Sequence, residues 1–160
     1  MPRWGWVILG ALVGFAVVMW LTRWLSSRRV GTIGVVDGRL HPCPNKPNCV
    51  SSQATGAHAI ELFRFDGPPT RAWQCLIEVL RGFPRCRIVT QTDCYLHVEA
   101  WTPIFGFVDD VEFLLTDDAI HLRSASRLGY SDLGTNRRRA EAIRHQFEQR
   151  CRDASRVREP

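Results

Sequence analysis

From Trp4 to Thr22 the chain runs nineteen residues, WGWVILGALVGFAVVMWLT, with no charged side chain, between Arg3 and Arg23. A helix rising about 1.5 Å per residue needs roughly twenty residues to cross a hydrocarbon layer of about 30 Å. Trp4, Trp6, Trp20 and Trp24 mark the two ends of the run, as indoles do at headgroup depth. A buried core helix has no need of tryptophan at both margins. A cleaved signal peptide has a shorter apolar core and a small-x-small site, and no such site precedes these arginines. Residues 1–25 therefore read as an uncleaved anchor that meets the lipid bilayer through residues 4–22. Gly10 and Gly14 form a GxxxG pair, which would let two such helices approach closely. A solitary anchor is equally compatible.

Charge separates the rest of the chain into parts. The net charge is +5 over 160 residues, but residues 43–136 carry eight basic and eleven acidic side chains. The positive excess lies at the two ends. A nucleic-acid module concentrates basic side chains on its folded reading surface, so no nucleic-acid partner is expected. Basic ends around an apolar run suit a membrane surface.

Sidedness is pulled two ways. Arg23, Arg28, Arg29 and Arg39 follow the apolar run, against Arg3 before it, and the positive-inside rule then favours a cytoplasmic domain. The turn HPCPNKPNCVSS places Cys43 and Cys49 in a proline-rich stretch that could bring them within disulfide reach. A turn-locking disulfide or a pair of free thiols both fit. Zinc ligation by His41, Cys43, Cys49 and His58 lacks the usual CxxC spacing, so neither a metal nor another cofactor is expected.

Residues 26–42 read as a linker, residues 43–152 as a soluble domain and residues 153–160 as a basic tail. Ala57–Phe65 resembles a strand. DGPP then introduces a helix over about Thr70–Arg81, with Ala72, Trp73, Leu76, Val79 and Leu80 on one face and Gly82 closing it. Arg87–Gln91 and Tyr95–Thr102 form a hairpin in which Leu96, Val98 and Ala100 alternate with His97 and Glu99. His97 is expected as a half-exposed strand histidine.

Asp117 and Asp118 turn a second hairpin, and period-2 pairing then sets its register. Leu115 faces Ile120, Phe113 faces Leu122, Val111 faces Ser124 and Asp109 faces Ser126, all on the apolar face. On the other face Glu112 opposes Arg123 and Asp110 opposes Ala125. The Glu112–Arg123 pair is expected to contribute a few tenths to about 1 kcal/mol. Asp109, Ser124 and Ser126 put polar groups at the end of a core-facing surface, so they need partners. The loop RLGYSDLGTN offers Arg127, Ser131, Asp132 and Asn136. It leads into a helix over about Thr135–Asp153, whose packing face is Ala140, Ile143, Phe147 and Cys151. Arg137, Arg138 and Arg139 oppose the macrodipole at the helix start. Arg127 and Arg137 could clamp Asp109, Asp110 and Asp132 in a structural network, or form a pocket for an anionic ligand with the first amides of the helix.

The stretches CPNKPNCVSSQ, DDVEF and RSASRLGYSDLGTNRRRAEAIR together resemble the bacterial and plastid family called domain of unknown function 1499, over roughly Leu40 to Phe147. The resemblance implies a small α+β domain, often carried on a membrane anchor or behind an export signal, with no established activity. It marks Cys43, Cys49, Asp109, Asp110, Glu112, Arg123, Ser124, Ser126, Arg127, Gly129, Ser131, Asp132, Gly134, Asn136 and Arg137. Because such domains are frequently exported, it also implies that this one lies outside the cytoplasmic membrane.

The expected fold is α+β: an antiparallel sheet of four or five strands with two amphipathic helices on one face, preceded by one transmembrane helix. The expected ligand-binding set is Asp109, Asp110, Ser124, Ser126, Arg127, Ser131, Asp132, Asn136 and Arg137, with a Cys43–Cys49 disulfide. The leading functional reading is a single-pass membrane-anchored accessory or binding module of the envelope, with an anionic small molecule or an envelope protein as partner. A hydrolase-like enzyme would use Asp109 or Asp132 as base and Arg127 for charge stabilisation, although no GxSxG, HExxH or P-loop is present. The third reading is a structural membrane protein without a ligand.

Overall fold

The computed structural model describes residues 3–28 and 31–156. Helix α1 spans Arg3–Arg28 and is long and apolar enough to cross a membrane. Residues 26–42 are not a plain linker. The helix continues through Ser26 and Ser27, and beyond it β1 (Val35–Val36) and β2 (Arg39–Leu40) form a two-stranded ribbon. Asp37 and Gly38 make its turn with φ of 50° and 72°, the double left-handed geometry for which Asp-Gly is the common hairpin choice.

The main sheet has six strands, more than expected, all antiparallel. Its path is β3 (Cys49–Ser51), β8 (Ala119–Ser126), β7 (Val108–Leu115), β6 (Tyr95–Trp101) and β5 (Cys86–Gln91). Strand β4 (Phe63–Arg64) adds beside the first half of β8. The long strand expected over Ala57–Phe65 is instead a 3-10 turn at Gly56–His58 followed by β4. Strand β3 already occupies the β8 edge opposite Arg123–Ala125, which leaves Ala119 and Ile120 for β4 to pair. The β7–β8 hairpin has the register set by the aspartate turn, from Leu115 opposite Ile120 to Asp109 opposite Ser126.

Helices α2 (Pro69–Gly82) and α3 (Thr135–Arg156) cover the inner face of the sheet. Of the expected basic tail, residues 153–156 continue α3 and residues 157–160 lie outside the described residues. Pro69 opens α2, where its missing N–H costs nothing. Its face of Ala72, Trp73, Leu76, Val79 and Leu80 is buried, together with Cys75 and Ile77. Trp73 Nε1 donates to the Thr92 carbonyl at 3.1 Å and fixes α2 to the β5–β6 turn. Leu96, Val98, Val111, Phe113, Ile120 and Leu122 of the sheet meet Ile143 and Phe147 of α3 in one core. Phe63 sits in its centre, edge-on to Phe113 and 5.4 Å from Phe147 between ring centroids.

The outer face of the sheet is covered as well. The β1–β2 ribbon lies against β7 and β8, and the end of α1 lies against β7. Ser26 replaces a strand neighbour there: its hydroxyl accepts from the Val108 amide at 2.7 Å and reaches the Val108 carbonyl at 3.4 Å.

Candidate functional site

Successive residues of a strand point to opposite faces, so Asp109 and Asp110 belong to two different clusters. Asp110 is on the outer face with Glu112 of its own strand, Tyr95, His97 and Glu99 of β6, and Arg123 of β8. The chain after α1 closes over these groups.

Asp110 accepts from His97 Nε2 at 2.7 Å, from Arg127 Nε at 2.9 Å and Nη2 at 2.7 Å, and from the Gly31 amide at 3.3 Å. Burial alone would raise its pKa, but the hydrogen bonds from His97 and Arg127 outweigh it and hold the carboxyl at about 2. The Arg127 side chain is 0% exposed. Besides Asp110 it donates to Glu99 at 2.7 Å and to the carbonyl of Ser27 at 3.2 Å in the last turn of α1. Burial opposes its charge, and the two carboxylates still raise its pKa. Glu99 is shared with Arg87 at 2.6 Å, and these two guanidiniums overcome desolvation to lower its pKa.

Glu112 is fully buried. It accepts from the Gly34 amide at 2.6 Å, the Tyr95 hydroxyl at 2.8 Å and Arg123 Nη1 at 2.7 Å. The Glu112–Arg123 pair, expected at a solvated surface, is therefore an interior pair with side chains 0% and 5% exposed. Ribbon and sheet together remove it from water. His97 is likewise buried at 3% exposure rather than half-exposed, because the outer face of β6 is covered. Desolvation, reinforced by Glu112, raises the Tyr95 pKa and keeps its hydroxyl a donor.

The inner-face cluster is smaller and neutral at its centre. Asn136, in the first turn of α3, accepts from the Ser124 hydroxyl at 2.5 Å and donates to Ser126 Oγ at 2.9 Å and the Asn48 carbonyl at 3.1 Å. Asp109 pairs with Arg139 Nη2 at 2.6 Å and receives a hydrogen bond from Ser126. Burial is the larger effect, however, and holds its pKa above the usual carboxylate range. The partner of Asp109 comes from α3 rather than from the loop, since Arg139 lies one turn after Asn136 on the same helix face.

Asp132 is the helix cap. Its carboxylate accepts from the amides of Asn136 at 2.7 Å and Gly134 at 3.0 Å, which satisfies groups that an outside anion would otherwise use. Ser131 accepts from the Leu133 amide at 3.2 Å. Arg137 donates to the Ala57 carbonyl at 2.9 Å. Of the clamp that Arg127 and Arg137 could form around three aspartates, Arg127 with Asp110 is present, while Asp109 and Asp132 find other partners. Arg127 serves the outer face, Arg139 holds Asp109, and Asp132 holds its own helix.

Cys43 and Cys49 are joined by a disulfide with Cα atoms 5.6 Å apart. The turn it closes presents Asn48, whose carbonyl also accepts from the Ser126 amide at 2.9 Å. His58 contacts the Cys49 carbonyl at 2.9 Å. Among the described residues no cluster of histidine, cysteine and carboxylate is placed to hold a metal ion.

Tyr95, His97, Glu99, Arg139, Gly31 and Gly34 belong to these clusters and were not among the expected site residues. Extending the hairpin register by one strand, from β7 to β6, places His97 beside Glu112 and Glu99 beside Asp110. The two glycine amides have no comparable signal, since they reach the carboxylates across 78 and 79 residues.

Two clefts flank the loop at 128–135. One, of about 530 Å³, lies between the disulfide turn and the start of α3, with Lys46, His58, Tyr130, Ser131, Asp132 and Arg137 in its wall. The other, of about 440 Å³, lies between the loops at 102–107 and 128–135 and is bordered by Thr22 of α1. Asp109, Ser126, Ser131 and Asp132 line that second cleft.

A family model described as "Protein of unknown function (DUF1499)" matches residues 39–147. No curated protein matches the chain.

Proposed function

The chain belongs to the DUF1499 family of proteins of unknown function, and from that membership and the geometry we propose that it is a membrane-anchored binding or accessory module of the envelope, with its domain outside the cytoplasmic membrane. One observation carries this reading: the charged groups of the motif are engaged with one another and with the end of α1. Arg127 joins Asp110 and Glu99 to the Ser27 carbonyl. A guanidinium so placed fixes the domain to its anchor and is not free to stabilise charge on a substrate. The work left to the domain is binding at its open clefts, where Lys46 and Arg137 supply positive charge for an anionic group.

A hydrolase fits these atoms less well. Ser124 is fully buried and its hydroxyl is committed to Asn136. Ser126 lies beside Asp109 and Asn136, while His97 lies on the other face, bound to Asp110. Ser126 does have Asp109 as a base within hydrogen-bond reach, but that carboxylate is paired with Arg139, and Arg127, which would stabilise the developing charge, is bound to Asp110 on the other face of the sheet.

The disulfide supports an oxidising compartment. Cys94, exposed and free in the β5–β6 turn, makes a convenient reporter. In intact cells a membrane-impermeant maleimide should label Cys94 directly, and Cys43 and Cys49 only after reduction. Labelling of Cys94 only after lysis would put the domain in the cytoplasm and overturn the proposal.

A further inference from the structure

The cleft beside α1 is different in character from the polar clusters around it. Pro103, Ile104, Phe105, Phe107, Leu128 and Leu133 supply its apolar wall, with Thr22 of α1 beside them. Ile104 and Leu133 stand on it 84% and 85% exposed. Large apolar side chains left in water on either side of a concave surface mark an interaction site, and the volume of about 440 Å³ lies in the range of ligand pockets.

We propose that this cleft takes one acyl chain of a bilayer lipid, drawn from the leaflet at which α1 leaves the membrane; the inference rests on the anchor reading above. Position is the first argument. Thr22 is the last residue of the uncharged run and is itself part of the cleft. The loop beyond it is packed on the anchor: a Cβ on Gly106 would stand 3.2 Å from the Arg23 side chain, and Gly106 has φ of 65°. Trp20 and Trp24 flank this point on α1, as tryptophans do at headgroup depth. The apolar lips therefore continue the surface that α1 already presents to lipid.

Charge is the second argument, and it narrows the ligand. Among the described residues no lysine, arginine or histidine lines the cleft. Its two carboxylates are already engaged, Asp109 by Arg139 and Asp132 by the amides of Gly134 and Asn136. A free fatty acid would bring its carboxylate to a lining without a cation, and Arg138 at the rim is already held by the Leu133 carbonyl and the Thr135 hydroxyl. An esterified chain carries no charge at that end, and the hydroxyls of Ser131 and Thr135 lie in the same lining.

The test is site-specific photocrosslinking of the full chain in vesicles of phosphatidylethanolamine and phosphatidylglycerol, with benzoylphenylalanine replacing one residue at a time. Leu133 reports the cleft and Leu12 the anchor. Asp117, in the turn at the far end of the β7–β8 hairpin, reports background. We expect a phospholipid adduct at Leu133 and at Leu12 and none at Asp117, and loss of the Leu133 adduct when Ile104→Asp is added. A lipid adduct at Leu12 without one at Leu133 overturns the cleft proposal and leaves the anchor in place. No lipid adduct at Leu12 overturns the anchor reading itself. A chain-to-chain crosslink at Leu133 assigns the cleft to a second copy, and an adduct as strong at Asp117 means adventitious lipid contact only; either result overturns the proposal.

Discussion

Asp109 and Asp110 are neighbours in sequence and opposites in chemistry. Asp110 is held ionised by His97 and Arg127, whereas burial works against the charge of Asp109. Replacing each by asparagine should separate them. Asp110→Asn leaves the Arg127 guanidinium with one of its two carboxylates, Glu99, and should cost about 3–5 kcal/mol, the range for breaking an interior pair. Asp109→Asn removes a charge that desolvation already disfavours and should cost less than half as much in urea unfolding of the detergent-solubilised chain. The pH dependence follows in sign. Folded Asp110 titrates at about 2 against an ordinary 3.8, so the unfolded chain binds more protons in that interval. Its stabilisation is full above the ordinary value and is lost as pH falls toward 2. Asp109 acts the other way, its contribution shrinking as pH rises past its ordinary value. Urea midpoints measured from about pH 5 down to about pH 2 should fall in the wild type and fall less in Asp110→Asn.

Among the elements, legibility depended on length and on a marked turn. The β7–β8 register could be read because Asp117–Asp118 fixes the turn and eight-residue strands repeat the alternation. Strands β3 and β4 are three and two residues long, too short to show a period. The ribbon carried a usable signal, Asp37-Gly38 between Val35–Val36 and Arg39–Leu40, hidden by the surrounding glycines and prolines. The burial of His97 and of the Glu112–Arg123 pair has no signal in their own strands, because what covers them is a segment distant in sequence. Short elements still matter energetically. Phe63 supplies β4 with its buried side chain at 1% exposure, and Phe63→Ala should cost about 3–5 kcal/mol in urea unfolding. The disulfide turn holds β3 and Asn48 against β8 and α3. Replacing Cys43 and Cys49 together by serine should cost about 2 kcal/mol by the chain-entropy account of a short loop, read as a lower unfolding midpoint that reducing agent no longer shifts.

At the scale of the whole molecule, the sheet has two covered faces of different kinds. The inner face packs α2 and α3 in an apolar core. The outer face carries carboxylates and guanidiniums that bind the end of α1 and the chain following it. The motif whose residues form the expected ligand-binding set thus serves as the joint between the domain and α1, and it sets the apolar cleft beside the point where α1 leaves its uncharged run. Arg127 is the centre of that joint. The most direct test is the unfolding midpoint of full-length Arg127→Ala against wild type in the same detergent. A drop equivalent to about 3–5 kcal/mol is predicted, as for an interior ion pair that has lost one member. An unchanged midpoint would contradict the account and return Arg127 to the ligand-binding residues.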